Sequence, residues 1–296
     1  MRSTTQRIGA VSLMLLLRSA PVLARTSHQP PPHNPVCTLT SFLQRWRGVP
    51  DDVYSELAPE GVLKIGVNYG NPNNASIDAN GSLQGVAVDL GCILARRLGL
   101  EVEFVPYAGI PAMMQGFDSG EWSLGFTFDP QFGPQTFAYA HPHLAVENTY
   151  LVPGASPFKS VADVDQTGVL ISVAQGNSPD VYLTGHLKNA TLVRFTTVPQ
   201  ALAALKNGQV HAFAGSRTAE IGFLPQMPNA RLLPDDFLLA QLAGVMATGA
   251  DEALGVVNRF VEESKVDFLI QLAIVRSRLI GVLLPTPVRE RDDDRR

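Results

Sequence analysis

The chain is poor in cysteine, modest in charge and lacks any apolar run long enough to cross a membrane. Two cysteines, Cys37 and Cys92, among 296 residues exclude a disulfide-dense scaffold and offer no metal-binding cysteine pair. They are compatible with one disulfide in an oxidising compartment, but the helical pattern around Cys92 favours a thiol packed as a small apolar group. No Lys/Arg run of the length that tracks phosphates occurs in the body of the chain, which excludes nucleic acid as a partner. A Ser-His-Asp order, a glycine-rich phosphate loop and a metal-binding helix are all missing, and no repeat at a solenoid period occurs. Charged residues make up 17% and hydrophobic residues 45%, the balance of a soluble globular chain rather than of a fibre or a disordered one.

The first residues stand apart. Arg2 and Arg7 precede the ten-residue apolar run Ile8 to Leu17, which is too short to span a hydrocarbon core of about 30 Å as a helix. Val22, Leu23 and Ala24 then supply small and apolar residues where a signal peptidase reads, so residues 1–24 are expected to be an export signal cleaved after Ala24. Removing Arg2, Arg7 and Arg18, three positive charges, moves the formal net charge from -4 to -7. Asn34, Pro35 and Val36 before Cys37 lack the small residues of a lipoprotein signal. Residues 25–55 read as a proline-rich linker and N-terminal extension, with Phe42, Leu43 and Trp46 suggesting a short packed helix. Residues 283–296 read as a solvated charged tail.

From Gly61 to about Val282, short apolar runs alternate with amphipathic helical stretches, the pattern of an α/β sheet with helices on its faces. Leu63, Ile65 and Val67 alternate along a strand. The helix predicted from Val86 to Leu98 carries Leu90, Ile93, Leu94 and Leu98 on one face and ends in Arg96, Arg97 and Gly99. Leu170 to Ala174 reads as a buried strand, with Ser178 placed to cap the next helix and Pro179 at its first position. Thr197 caps a helix bearing Val198, Leu202 and Leu205, and residues 238–247 form an apolar return run.

An ordered series of segments resembles a known group. Leu57 to Leu63, Gly81 to Leu90, Trp122 to Pro130, Thr149 to Val152 and Leu205 to Ala212 together are similar to the extracellular solute-binding proteins of the polar-amino-acid type, family 3, over about residues 56–282. The resemblance implies a type II periplasmic-binding-protein-like α/β fold of two Rossmann-like lobes joined by two hinge strands. Lobe 1 would comprise residues 56–149 plus 246–282, and lobe 2 residues 153–239, with crossings at Tyr150 to Pro153 and Gln241 to Val245. It also implies a monomer, a small-molecule ligand held in the interlobe cleft by strand ends and helix N-termini, and an ABC importer as partner. Two departures point away from a free amino acid. The arginine that usually forks the ligand α-carboxylate is missing from Asp129-Pro130-Gln131-Phe132-Gly133-Pro134, and the usual acid for the α-ammonium is matched by about Ser216.

The residues themselves name the candidate site. Asn68, Tyr69 and Asn71 follow the first strand, where amides and an aromatic face suit a polar ligand, although asparagines also build turns. Phe126, Phe128 and Asp129 close another strand, and alternation sends both phenylalanines to one face, either into the sheet packing or toward the cleft. Asn177 and Ser178 stand at a helix start that can take an anion, and Arg217 after Ser216 is the one cation placed to replace the missing arginine. His141 and His143 flank Pro142 without a third ligand, so no metal site and no cofactor are expected. Asn74, Asn80 and Asn189 begin N-glycosylation triplets.

A binding module for a small polar or anionic solute is the leading reading, with no catalytic residue. The alternatives are a dehydratase-like cleft enzyme using Asp129 or Glu147, and a scaffold whose cleft holds no ligand.

Overall fold

The computed structural model describes residues 43–288 together with residues 32, 35 and 37. The expected signal cleavage after Ala24, Phe42 and the last residues of the tail lie outside the described residues. Helix α1 (Asp51–Leu57) and strand β1 (Val62–Asn68) lead to a small hairpin of β2 (Ser76–Ile77) and β3 (Leu83–Gln84). Then come α2 (Val86–Leu98), β4 (Glu101–Tyr107), α3 (Ile110–Asp118), β5 (Leu124–Phe128) and the 17-residue strand β6 (Phe137–Pro153). The chain continues through β7 (Leu170–Ala174), α4 (Ser178–His186), β8 (Thr191–Phe195), α5 (Val198–Lys206), β9 (Ala212–Ser216) and α6 (Arg217–Phe223). It closes with β10 (Ala230–Leu232), β11 (Leu238–Ala247), α7 (Asp251–Val266), α8 (Leu269–Arg276) and β12 (Val282–Leu283).

The main sheet runs β4-β1-β5-β11-β6-β9-β7-β8, with β10 and β12 also on β6. Parallel pairs at both ends, β1 with β4 and β7 with β8, flank an antiparallel centre of β5, β11, β6 and β9. This is the mixed α/β sheet with helices on its faces that a type II two-lobed fold requires. Apolar side chains separate into cores on either side of that centre. One core gathers Ile65, Leu90, Ile93, Leu98, Leu144, Leu242, Met246 and Phe260, with a satellite around Met113 and Trp122. The others gather Tyr150, Val152, Ile171 and Val173, and Leu202, Leu205 and Phe213.

Local sequence explains the elements that carry these cores. Helix α2 ends as its basic last turn and Gly99 predict, with Gly99 left-handed at φ 72°. Gly91 in α2 lets the helix lie close on the sheet, since a Cβ there would come within 2.6 Å of Ile65 and 2.8 Å of Phe104. Thr197 caps α5 as expected, its hydroxyl accepting from Gln200 N–H at 3.3 Å while the Gln200 side chain accepts from Thr197 N–H at 3.2 Å. Helix α4 begins one residue earlier than predicted: Asn177 is the N-cap, and Ser178 and Pro179 open the first turn.

Three expectations are corrected at the edges. Cys37 and Cys92 form a disulfide with Cα atoms 5.4 Å apart, so Cys92 is not a free thiol. Trp46 packs against the first core without a helix around it, stacked by Arg259 at 3.9 Å and edged by Phe260, and the helix of this region is α1 instead. The stretch expected as a tail from 283 is in part structured, because β12 pairs with Val146 and Ala145 of β6 and Val288 N–H donates to Glu262. Val282 and Leu283 are apolar and strand-forming, and pairing with β6 satisfies their backbone groups.

The disulfide closes a 55-residue separation, which predicts about 3–4 kcal/mol of stabilisation from the restricted unfolded chain. Urea unfolding with and without reductant should show that loss, and a Cys37→Ala variant should behave as the reduced protein does.

Candidate functional site

Strand β6 pairs with strands of both halves of the main sheet. Its first part pairs with β11 from Phe137↔Ala247 to Asn148↔Leu238, and from Asn148 onward it pairs with β9. The change of partner therefore falls at Asn148. Tyr150 and Val152, expected in the crossing, are buried in the core beyond it.

Beside this change of partner lies a cleft lined from both sides. Its volume is about 40 Å³, room for ordered water or a small solute. From the side of β1 and β5 come Asn71, Asn73, Thr127, Asp129 and Phe132. From the side of β7 and β9 come Gly176, Asn177, Ser178 and Ser216, with Asn148 at the join.

Five of the expected residues meet here: Asn71, Asp129, Asn177, Ser178 and Ser216. Asn71 Oδ1 accepts from both the backbone and the side-chain nitrogens of Asn73, each at 3.1 Å. Asp129 is buried, with Oδ1 accepting from Gln131 N–H at 2.8 Å and Oδ2 from Gln241 N–H at 2.6 Å. Burial raises its carboxyl above the ordinary range, and those two N–H groups oppose the shift. Ser216 is turned to local duty, its hydroxyl accepting from Ala219 N–H at 3.3 Å to cap α6.

The other expected residues stand elsewhere. Asn68 is buried and bonds Gly70 N–H at 3.0 Å in a turn, which is the structural alternative rather than a cleft role. Tyr69 faces a separate surface groove with Val198 and Leu202. Phe126 is core, with its ring 5.5 Å from His143 and 6.3 Å from Phe260. Phe128 lies on β5 opposite Ala243, and its side chain is outside the described part.

Arg217 corrects the expectation most clearly. It lines no part of the cleft and is only 17% exposed. Its guanidinium reaches Glu147 at 3.2 Å and Asp236 at 2.7 Å, and it donates to the carbonyls of Leu233 and Pro234. Two carboxylates and two carbonyls use the donors that an anionic ligand would need. Among the described lining residues none is Lys, Arg or His, so the cleft offers no positive side chain.

The residues that sequence reading missed are Asn73, Thr127, Phe132 and Asn148. Thr127 was signalled by alternation, since it points opposite to Phe126. Asn73 stood in the asparagine run of residues 71–74, and its Oδ1 is buried without a protein partner. Asn148 had no local signal, because its place depends on the change of partner along β6. The triplet asparagine Asn74 is buried and donates to Thr127 at 2.7 Å. The histidines do not converge either: His141 bonds Glu262 at 2.9 Å, whereas His143 is fully buried, and no metal-binding cluster occurs among the described residues.

Comparison with known proteins follows the same lines. The model of the bacterial extracellular solute-binding proteins, family 3, matches residues 63–271. No curated protein sequence matches. Among solved structures, the P235GK mutant of ArgBP from T. maritima is 20% identical, covering 76% of this chain and 99% of its own at TM-score 0.67. The solute receptor for L-cysteine of Neisseria gonorrhoeae is 24% identical, covering 74% and 90% at TM-score 0.65. The ancestral amino acid-binding protein AncCDT-1, a precursor of cyclohexadienyl dehydratase, is 21% identical, covering 75% and 97% at TM-score 0.65. These likenesses show the fold, mixed α/β of the type II periplasmic-binding-protein kind. The chain belongs to the bacterial extracellular solute-binding proteins, family 3.

Two outcomes test the placement of these groups. Arg217→Ala should lower stability by about 1–2 kcal/mol in urea unfolding, because it strands two half-buried carboxylates. His143 has its basicity pushed down from 6.5 to about 3, by burial first and by Lys265 second. The unfolded chain then takes up a proton that the folded one refuses, so stability should fall as pH drops from about 6.5 toward 3. His143→Leu should flatten that part of the profile.

Proposed function

We propose that this chain is an exported receptor that captures a small polar solute in the cleft and delivers it to an ABC importer. The observation that carries the reading is the convergence of polar groups from both halves of the sheet on one small cavity. Family membership supports capture rather than chemistry, and so do the residues. Of the two acids available to a cleft enzyme, Glu147 is bound to Arg217 away from the cavity. Asp129 remains the one titratable side chain among the described lining residues, held by two backbone N–H groups, with no histidine, lysine or cysteine beside it. The dehydratase-like alternative rests on fold alone.

The N-terminal export signal, residues 1–24, and a periplasmic or secreted location belong to the same proposal. So does the division into lobes of residues 56–149 plus 246–282 and residues 153–239. In this reading the solute bridges the halves, and closure is favoured only as far as the closed form binds it more strongly than the open one. The strands at Asn148 and Leu238 are where rotation would be absorbed, since the cores on either side are separately packed.

Denaturing natively purified protein should release a small molecule identifiable by mass spectrometry. Returning that molecule to the stripped protein should reduce the radius of gyration in small-angle scattering. No released molecule and no compaction with any added solute would overturn the receptor.

A further inference from the structure

The cleft is one-sided in charge. Asp129 is 3% exposed, and its two backbone donors orient the carboxylate without supplying a countercharge. Each of its oxygens keeps a second lone pair for a ligand donor. Asn73 is 4% exposed and presents Oδ1 as an acceptor that no protein group uses. Phe132 adds an aromatic ring in the very stretch where the family resemblance leads to an arginine. No described lining residue is basic. The N-terminus of α4, whose Asn177 and Ser178 line the cleft, brings only a partial positive charge, and in the turn before it Gly176 N–H donates to Asp180 at 2.9 Å, with Asp180 paired to Arg194 at 2.8 Å. The Tyr139 hydroxyl near Asp129 donates to the Pro134 carbonyl at 2.7 Å, so it brings no charge to the carboxylate.

A carboxylate entering this space would face Asp129 without a cation to offset it. A positive group would instead find an anion, an open acceptor and an aromatic ring, the set that recognises ammonium groups. Resting on the receptor reading above, we propose that the cleft selects a small organic cation without a carboxylate. Asp129 is its countercharge, Asn73 Oδ1 accepts its N–H or O–H, and Phe132 is its aromatic wall. Burial disfavours the ionised form of Asp129, and an entering ammonium offsets that cost.

The test is calorimetry on the purified chain with four small probes: ethanolamine, choline, glycolate and ethylene glycol. Ethanolamine or choline should bind at least about tenfold more tightly than glycolate, and Asp129→Asn should weaken that binding by about tenfold or more. Asp129 also holds Gln131 and Gln241, so circular dichroism must show that this variant folds. Phe132→Arg is the second variant, at a partly exposed position. It should abolish amine binding and bring glycolate binding up about tenfold, because it restores a fork for a carboxylate. Glycolate or ethylene glycol binding as tightly as the amines would remove the cation while leaving the receptor reading intact. Amine binding unchanged in both variants, or no binding by any of the four probes, would equally overturn the inference. Failure of the receptor itself would show separately, as no released molecule and no compaction.

Discussion

The antiparallel ladder of β6 and β11 is the constraint on which the rest of the structure depends. Both strands run from one set of cores toward the other, paired from Phe137↔Ala247 to Asn148↔Leu238. Every flanking element is placed relative to that ladder. Strand β5 joins it through β11, β9 joins it through β6, and β12 returns to bond β6 at Val146. Two ionic devices are anchored on it. Asp129 holds the Gln241 N–H of β11, and Arg217 holds Glu147 of β6 together with Asp236 just before β11. The cleft lies beside the end of that ladder, lined by Val146, Asn148, Ala240 and Leu242 of its two strands and by polar side chains of the elements around them.

That geometry separates two uses of charge that look alike in a sequence. Arg217 and Asp129 both stand at strand ends, yet one is consumed by the frame and the other remains at the cavity. A guanidinium that satisfies two carboxylates and two carbonyls keeps little capacity for a ligand. A carboxylate oriented by two N–H groups keeps both its charge and free lone pairs. Among the described residues the cleft thus keeps one carboxylate and no basic side chain, on a fold shared with amino-acid-binding proteins.

The termini show how distant contacts override local composition. Trp46 sits in a polar, proline-bearing extension, yet Arg259 of α7 stacks on its ring and Phe260 meets it edge-on. The disulfide from Cys37 ties the same extension to α2. At the other end, Thr218 of α6 donates to Ile280 and Glu147 N–H donates to Gly281, so the chain beyond α8 binds both the central strand and the far side of the molecule. None of these contacts is encoded within a few residues of either partner.

What the sequence by itself determined are the features whose physics is local. The period of Leu90, Ile93, Leu94 and Leu98 dictates α2, the Thr197 box starts α5, and the alternation about Thr127 sets Phe126 and Thr127 on opposite faces of β5. The order of such segments was enough for the fold and its family. Half of the expected site was legible in the same way: Asn71, Asp129, Asn177, Ser178 and Ser216 follow strands or open helices at the sheet's cleft edge. The tertiary structure alone decided the direction of Arg217, the burial of Asn68 and Phe126, the pairing of Cys37 with Cys92, and the entry of Asn148 into the cleft. Each of these depends on which partner lies across tens to hundreds of residues of chain. Hydrogen-bonding and charge are satisfied by whatever group arrives there, and residue type at one position does not name that group.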